Sequence, residues 1–330
     1  MDTLLPKVIL LNTLMVNNSS IMIKNLILIC TLLVTSFQVY AQEKIRIPDK
    51  ATKILFLGNS ITYSGQYISY IETYLTLKHP ERKLEFINVG LPSETVSGLS
   101  EPNHAQGKFP RPNLKERLHR ILSKVKPDLV FANYGINDGI YLPYDDERFQ
   151  KFKDGILYMH DKVIKTGASI IHLTPPVYDG PNAEVYDNVM GIYSYWLLSR
   201  KLTLDWKIID IHGPMKKQLQ NHRLHHPKFT FAPDGVHPNK EGHWVMAQQV
   251  LLSLGEKNAS MYSKIEEAIT SFDNGENVLD LIEKKQAISK DAWLSVIGHE
   301  RPGMAKGMSL KEMQLEKSQL EKQLKKFLNL

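Results

Sequence analysis

Five short apolar runs, interleaved with stretches of helical periodicity, constrain this chain more tightly than any other feature. The first, Ile54-Leu55-Phe56-Leu57, has no polar alternation, which suits a strand buried on both faces of a parallel sheet. Gly58, Asn59 and Ser60 stop it abruptly, and residues 66–75 then repeat apolar side chains at helical intervals. Further runs lie at 83–89, 128–132, 168–173 and 206–210. Between them, Asn113 with Glu116 marks a helix start whose apolar face is Leu114, Leu118, Ile121 and Leu122. Helical pattern also covers 146–166, a segment with Val185, Val189, Ile192, Tyr193, Trp196 and Leu197, and a closing helix from about 240 to 254. Strands alternating with helices predict a parallel five-stranded sheet covered on both sides.

Ahead of the first run lies a segment of another kind. Lys24-Asn25 precede an apolar stretch over 26–34, and Val39-Tyr40-Ala41 offers a small-residue cleavage site before Gln42. These are the parts of a secretory signal peptide within residues 1–41, with Met22 as an alternative start, and the apolar core falls short of the roughly 20 residues of a spanning helix. The expectation is a protein secreted or periplasmic after cleavage near Ala41, with no stable membrane span. The single cysteine, Cys30, falls in this leader, which leaves the mature chain without a disulfide, a thiolate zinc ligand or a cysteine nucleophile. The formal charge of +6 is concentrated at the C-terminus, where residues 301–330 hold seven Lys or Arg against three Glu. With the middle near neutral, no basic stripe serves a nucleic acid, and none is expected as partner.

Three divisions follow: the leader, a catalytic domain over 50–255, and a charged helical C-terminal appendage over 256–330. In the appendage, Ser309 and Glu312 predict a capping box, and Leu310, Met313, Leu320, Leu324 and Phe327 recur at heptad-like steps interrupted by Lys317. That pattern reads as a helix laid along the domain. Oligomeric state is not written in it.

Four segments end at one edge of the predicted sheet: Ser60 after the first strand, Gly90 after the second, Asn137 after the third, and His237 before the last helix. Serine is a poor nucleophile unless a base stands within hydrogen-bond reach, a role His237 fills. Asp234, on the same Asp-Gly-Val-His turn, can hold the imidazole in one tautomer. Oxyanion donors are then the N–H of Ser60, the N–H of Gly90 and the amide of Asn137. Residues 91–112, rich in Pro and Gly, are long enough for a functional loop, and Ser93, Glu94, Ser97, Asn103, His104 and Gln106 make it a wall that favours hydroxyls. His222, His225 and His226 have no acidic partner at ligand spacing and read as a solvated loop, so no metal is expected.

Gly58-Asn59-Ser60, Gly90, Gly135-Ile136-Asn137-Asp138 and Asp234-Gly235-Val236-His237 resemble, in order and rough spacing, the four blocks of the SGNH hydrolases, also called GDSL esterases. The resemblance spans about residues 52–254. It implies a flavodoxin-like three-layer α/β/α sandwich, a Ser60 nucleophile, a His237 base oriented by Asp234, an oxyanion hole of Ser60, Gly90 and Asn137, and no cofactor. Asn59 stands where many members carry Asp, at a position that is not a catalytic group in the family. The expected function is a serine esterase acting on a small-molecule or glycan ester, with O-deacetylation of a carbohydrate favoured by the polar loop. A lipase, a thioesterase or an inactive glycan-binding protein on the same scaffold are the alternatives.

Overall fold

The computed structural model describes residues 45–329, which form one compact unit. The leader, with its cleavage site and the alternative start, lies outside the described residues. Five parallel strands, β1 (Lys53–Gly58), β2 (Glu85–Asn88), β3 (Leu129–Asn133), β4 (Ser169–Leu173) and β5 (Lys207–Ile209), lie in the order β2-β1-β3-β4-β5. This is the flavodoxin-like order, with its topological switch point between β1 and β3. The chain steps one way from β1 to β2 and the other way from β3 to β5. Right-handed crossovers in opposite directions place their helices on opposite faces, which gives the three layers.

The helices are α1 (Ser60–Ser64), α2 (Gln66–Lys78), α3 (Leu114–Val125), α4 (Asp146–Ile164), α5 (Ala183–Leu204), α6 (His212–His225), α7 (Lys240–Ser253), α8 (Ile265–Ile269), α9 (Gly275–Ile297) and α10 (Leu310–Phe327). Nearly the whole length of β1 is buried, as its unbroken apolar run requires. On one face Phe56 stacks between Phe86 of β2 and Phe131 of β3, with ring centroids 5.7 and 5.1 Å apart. Helix α2 is buried almost all round because α7 and α9 cover the sides the sheet does not.

The C-terminal helices are tied to the sheet by charge as well as apolar contact. Helix α9 lies along α2 and β2, where Lys285 pairs with Glu72 in a buried setting and Gln286 donates to the same carboxylate at 2.6 Å. Lys317 of α10, the residue that interrupts the heptad-like pattern, pairs with Glu85 at the start of β2. The capping box of Ser309 and Glu312 is present at the start of α10.

Helix α6 differs from the sequence reading, which places the histidines near its end in a solvated loop. His222 and His225 are helical, and His222 stacks on Phe229 at 4.2 Å. Its buried side chains, His212, Met215 and Leu219, make too thin a stripe to announce a helix. Among the described residues, no group of three or more His, Cys, Asp or Glu is gathered as a metal site, and no helix is long and apolar enough to cross a membrane.

Candidate active site

The site stands at the C-terminal ends of β1, β2 and β3, beside the switch point. Two glycines bring its first wall together. A Cβ on Gly58 would lie 2.1 Å from Thr62 Oγ1, and one on Gly90 would lie 2.4 Å from the Tyr63 nitrogen, so each strand end can touch α1 only without a side chain. Asn59 caps α1, its Oδ1 accepting from the Ile61 N–H at 3.1 Å. Ser60 is therefore the first helical residue, and its N–H has no intrahelical acceptor.

His237 arrives from the other end of the chain. The turn that carries it needs Gly235, whose φ is +85° and whose added Cβ would sit 2.2 Å from Gly180 Cα. Asp234 Oδ1 accepts the N–H groups of Val236 and His237 at 2.9 and 2.7 Å, while Oδ2 meets His237 Nδ1 at 2.6 Å. Partial burial pushes the Asp234 carboxyl up, but these hydrogen bonds from His237 and Val236 outweigh it and hold the group below the usual carboxylate range. An ionised carboxylate only accepts, so Nδ1 carries the proton of a neutral imidazole, whose Nε2 lone pair then faces Ser60 Oγ at 2.8 Å. Helix α7 steadies both partners: it begins just after Pro238, and its His243 bonds Ser64 Oγ, at the end of α1, at 3.1 Å. The side chains of His237 and Asp234 remain about half exposed, at 47% and 57%, so the dyad is open to solvent.

Asn137 is brought to the same edge and is almost fully buried. Its Oδ1 accepts from the Tyr141 hydroxyl at 2.9 Å, and its Nδ2 donates to the Glu94 carbonyl at 3.1 Å. An amide nitrogen carries two hydrogens, so one N–H stays available. Gly90 is also at this edge, but its N–H is engaged by Asn88 Oδ1 at 2.9 Å, and Asn88 Nδ2 donates in turn to the Thr62 carbonyl at 2.7 Å.

The loop over 91–112 departs from the sequence reading. Glu94 is not offered to a ligand: it is fully buried and paired with Arg117 of α3. His104 and Arg111 are both engaged by Glu101. Asp138, buried in the turn after β3, accepts the N–H groups of Val96, Ser97 and Gly135, which stitches this loop to the Asn137 turn. Of the six polar side chains expected to face hydroxyls, only Asn103 and Gln106 are exposed, while Ser93, Ser97 and His104 are half-buried and Glu94 is buried. The roles of Glu94 and Arg117 escaped sequence reasoning because each acts through a partner distant in sequence, whereas Asn88 and Tyr141 act on Gly90 and Asn137, two and four residues away, with no spacing that announces it. The only visible signal was a charged residue at a helix position of apolar spacing, Arg117 next to Leu118.

The doubly wound sheet brings Ser60, His237 and Asp234 together at its switch point, and the family the chain matches is one of carboxylic ester hydrolases. The chain belongs to the GDSL-like lipase/acylhydrolase family, whose model matches residues 56–245. It is 24% identical over 224 residues to an acetylxylan esterase of Geobacillus stearothermophilus, an alignment that covers 62% of this chain and 94% of the relative. The crystal structure of that enzyme superposes with a TM-score of 0.50 at 22% identity, covering 64% of this chain and 96% of the other. A gut microbial diltiazem-metabolizing enzyme gives 0.53 at 19% identity over 65% of this chain, which spans only about half (49%) of that longer protein. An α/β hydrolase from the metagenome of Lake Arreo, Spain, gives 0.50 at 23% identity, with 64% and 98% covered. These structures share the fold. Helices α9 and α10 lie beyond the matched family region.

Proposed function

We propose that this chain is a secreted or periplasmic serine esterase that removes acetyl groups from a carbohydrate, with Ser60 as nucleophile, His237 as general base and Asp234 as its orienting partner. The observation that carries the reading is the continuous chain from Asp234 through His237 to Ser60 Oγ, at 2.6 and 2.8 Å. Ser60 Oγ attacks the ester carbonyl carbon as its proton passes to His237 Nε2. The resulting oxyanion is met by the Ser60 N–H and the free N–H of Asn137; the Gly90 N–H joins them only by leaving Asn88 Oδ1. Collapse expels the alcohol, protonated by His237, and water activated by the same imidazole then releases the acid. In the Geobacillus acetylxylan esterase, substitutions of one serine, one aspartate and one histidine are catalytic mutants, the last two three positions apart as Asp234 and His237 are.

The carbohydrate half of the reading rests on the solvent exposure of the dyad and on the similarity to an acetylxylan esterase across nearly its full length. A long acyl chain gains about 0.8 kcal/mol for each buried methylene, which needs an enclosed apolar trough, whereas a half-exposed site gives little return on chain length. The test is a panel of acetyl to octanoyl esters beside acetylated polysaccharides. Acetate release from a polysaccharide, with specificity constants flat or falling with chain length, is expected. Constants that climb steeply to octanoyl, with no acetate released, would replace the carbohydrate reading with the lipase one. N-terminal sequencing of the exported protein should begin near Gln42.

A further inference from the structure

Glu94 and Arg117 are both completely buried, an arrangement that is costly unless every charge is met. The Glu94 carboxylate takes two guanidinium donors from Arg117, on Nε and Nη2, and the Tyr134 hydroxyl at 2.6 Å. What this ion pair touches besides itself is notable for its location. Arg117 Nη2 also donates to the Val89 carbonyl at 2.8 Å, one residue before Gly90. Tyr134 stands three residues before Asn137, and the carbonyl of Glu94 itself receives the Asn137 amide at 3.1 Å. One dry ion pair therefore holds the end of β2, the end of β3 and the side chain of Asn137 in a common frame. Tyr141 completes the hold on the amide from the opposite side, its own backbone in the left-handed region at φ +57°.

We propose that Glu94 is a positioning residue for the ester hydrolysis, fixing through its carbonyl the direction in which the free N–H of Asn137 points. The inference rests on the oxyanion role proposed for Asn137. Its physical basis is that the Glu94 main chain has no freedom to drift while its carboxylate is clamped by Arg117 and Tyr134, so the Asn137 amide inherits that rigidity. Misplacing an oxyanion donor by about 1 Å is enough to cost on the order of a hundredfold in turnover.

The test is a double-mutant cycle on kcat for an acetyl ester, using Glu94→Gln and Asn137→Ala singly and together. Glu94→Gln keeps the shape and the carbonyl but removes the charge that locks the pair. The expected result is a fall in kcat of roughly 10- to 100-fold with KM little changed, and no further fall when Glu94→Gln is added to Asn137→Ala. Full multiplicative losses, or a Glu94→Gln enzyme with unchanged kcat, would overturn the positioning role while leaving the Asn137 reading intact. An Asn137→Ala enzyme with normal kcat would overturn both. If Glu94→Gln does not fold, Tyr134→Phe removes one hydrogen bond from the same carboxylate and carries the same cycle, with a smaller expected fall and the same non-additivity.

Discussion

Replacing Lys285 by Met should destabilise the protein through a residue more than two hundred positions away. The Glu72 side chain is 2% exposed and that of Lys285 11%, so neither charge is much relieved by water, and among the described residues Gln286 supplies the other donor to the carboxylate. Breaking one partner of a buried pair typically costs about 3–5 kcal/mol, and the surviving Gln286 bond places this case near the lower figure, about 3 kcal/mol. With a urea m-value of about 3 kcal/mol/M for a domain of this size, the unfolding midpoint should fall by roughly 1 M. The double variant Glu72→Leu with Lys285→Met replaces the pair by apolar groups and should recover most or all of that loss. Urea titrations followed by circular dichroism at neutral pH measure both. A shift under about 0.3 M for the single variant, or a double variant no better than the single one, would refute the claim that α9 stabilises α2 through this buried pair.

Acid should weaken the fold well before carboxylates titrate. Burial, aided by the neighbouring His160 for His172 and by His237 for His243, lowers both imidazoles to about 3. Both are neutral when folded and protonate near 6.5 when unfolded, so their contribution is complete above about 6.5 and is lost as pH falls towards 3. Together they should remove roughly 3 kcal/mol per pH unit in that window. Equal urea midpoints at pH 7 and pH 5 would contradict this. Gly90→Ala should lower turnover and cost about 1–3 kcal/mol, because the new methyl meets the backbone of Thr62 and Tyr63 rather than a side chain that can swing away. A variant with unaltered turnover and unaltered urea midpoint would show that α1 need not lie so close.

The sheet was legible because its strands are buried on both faces and read as apolar runs, and the order of the blocks placed Ser60, Gly90, Asn137 and His237 at one edge. The Asp234 turn was legible for a local reason: residues three apart on a tight turn meet whatever the rest of the chain does. What stayed hidden depends on partners distant in sequence. Glu94 looks like a solvent-facing loop residue until Arg117, in the first turn of α3, is brought against it. The engagement of the Gly90 N–H by Asn88 is the local exception, two residues apart, and it was invisible because Asn88 reads only as the polar end of β2. Helix α6 was missed because only three of its side chains are buried.

The central claim, that Ser60 forms a covalent acyl-enzyme with His237 as base, is tested most directly by a fluorophosphonate ester followed by peptide mass spectrometry. The adduct should appear on the peptide containing Ser60 in the native protein, be absent in Ser60→Ala, and form far more slowly in His237→Ala. Ester turnover in Ser60→Ala should be lower by roughly 10⁴-fold or more in a folded protein. A native protein that hydrolyses esters while carrying no adduct on Ser60, or a Ser60→Ala variant that retains most of the turnover, would contradict it.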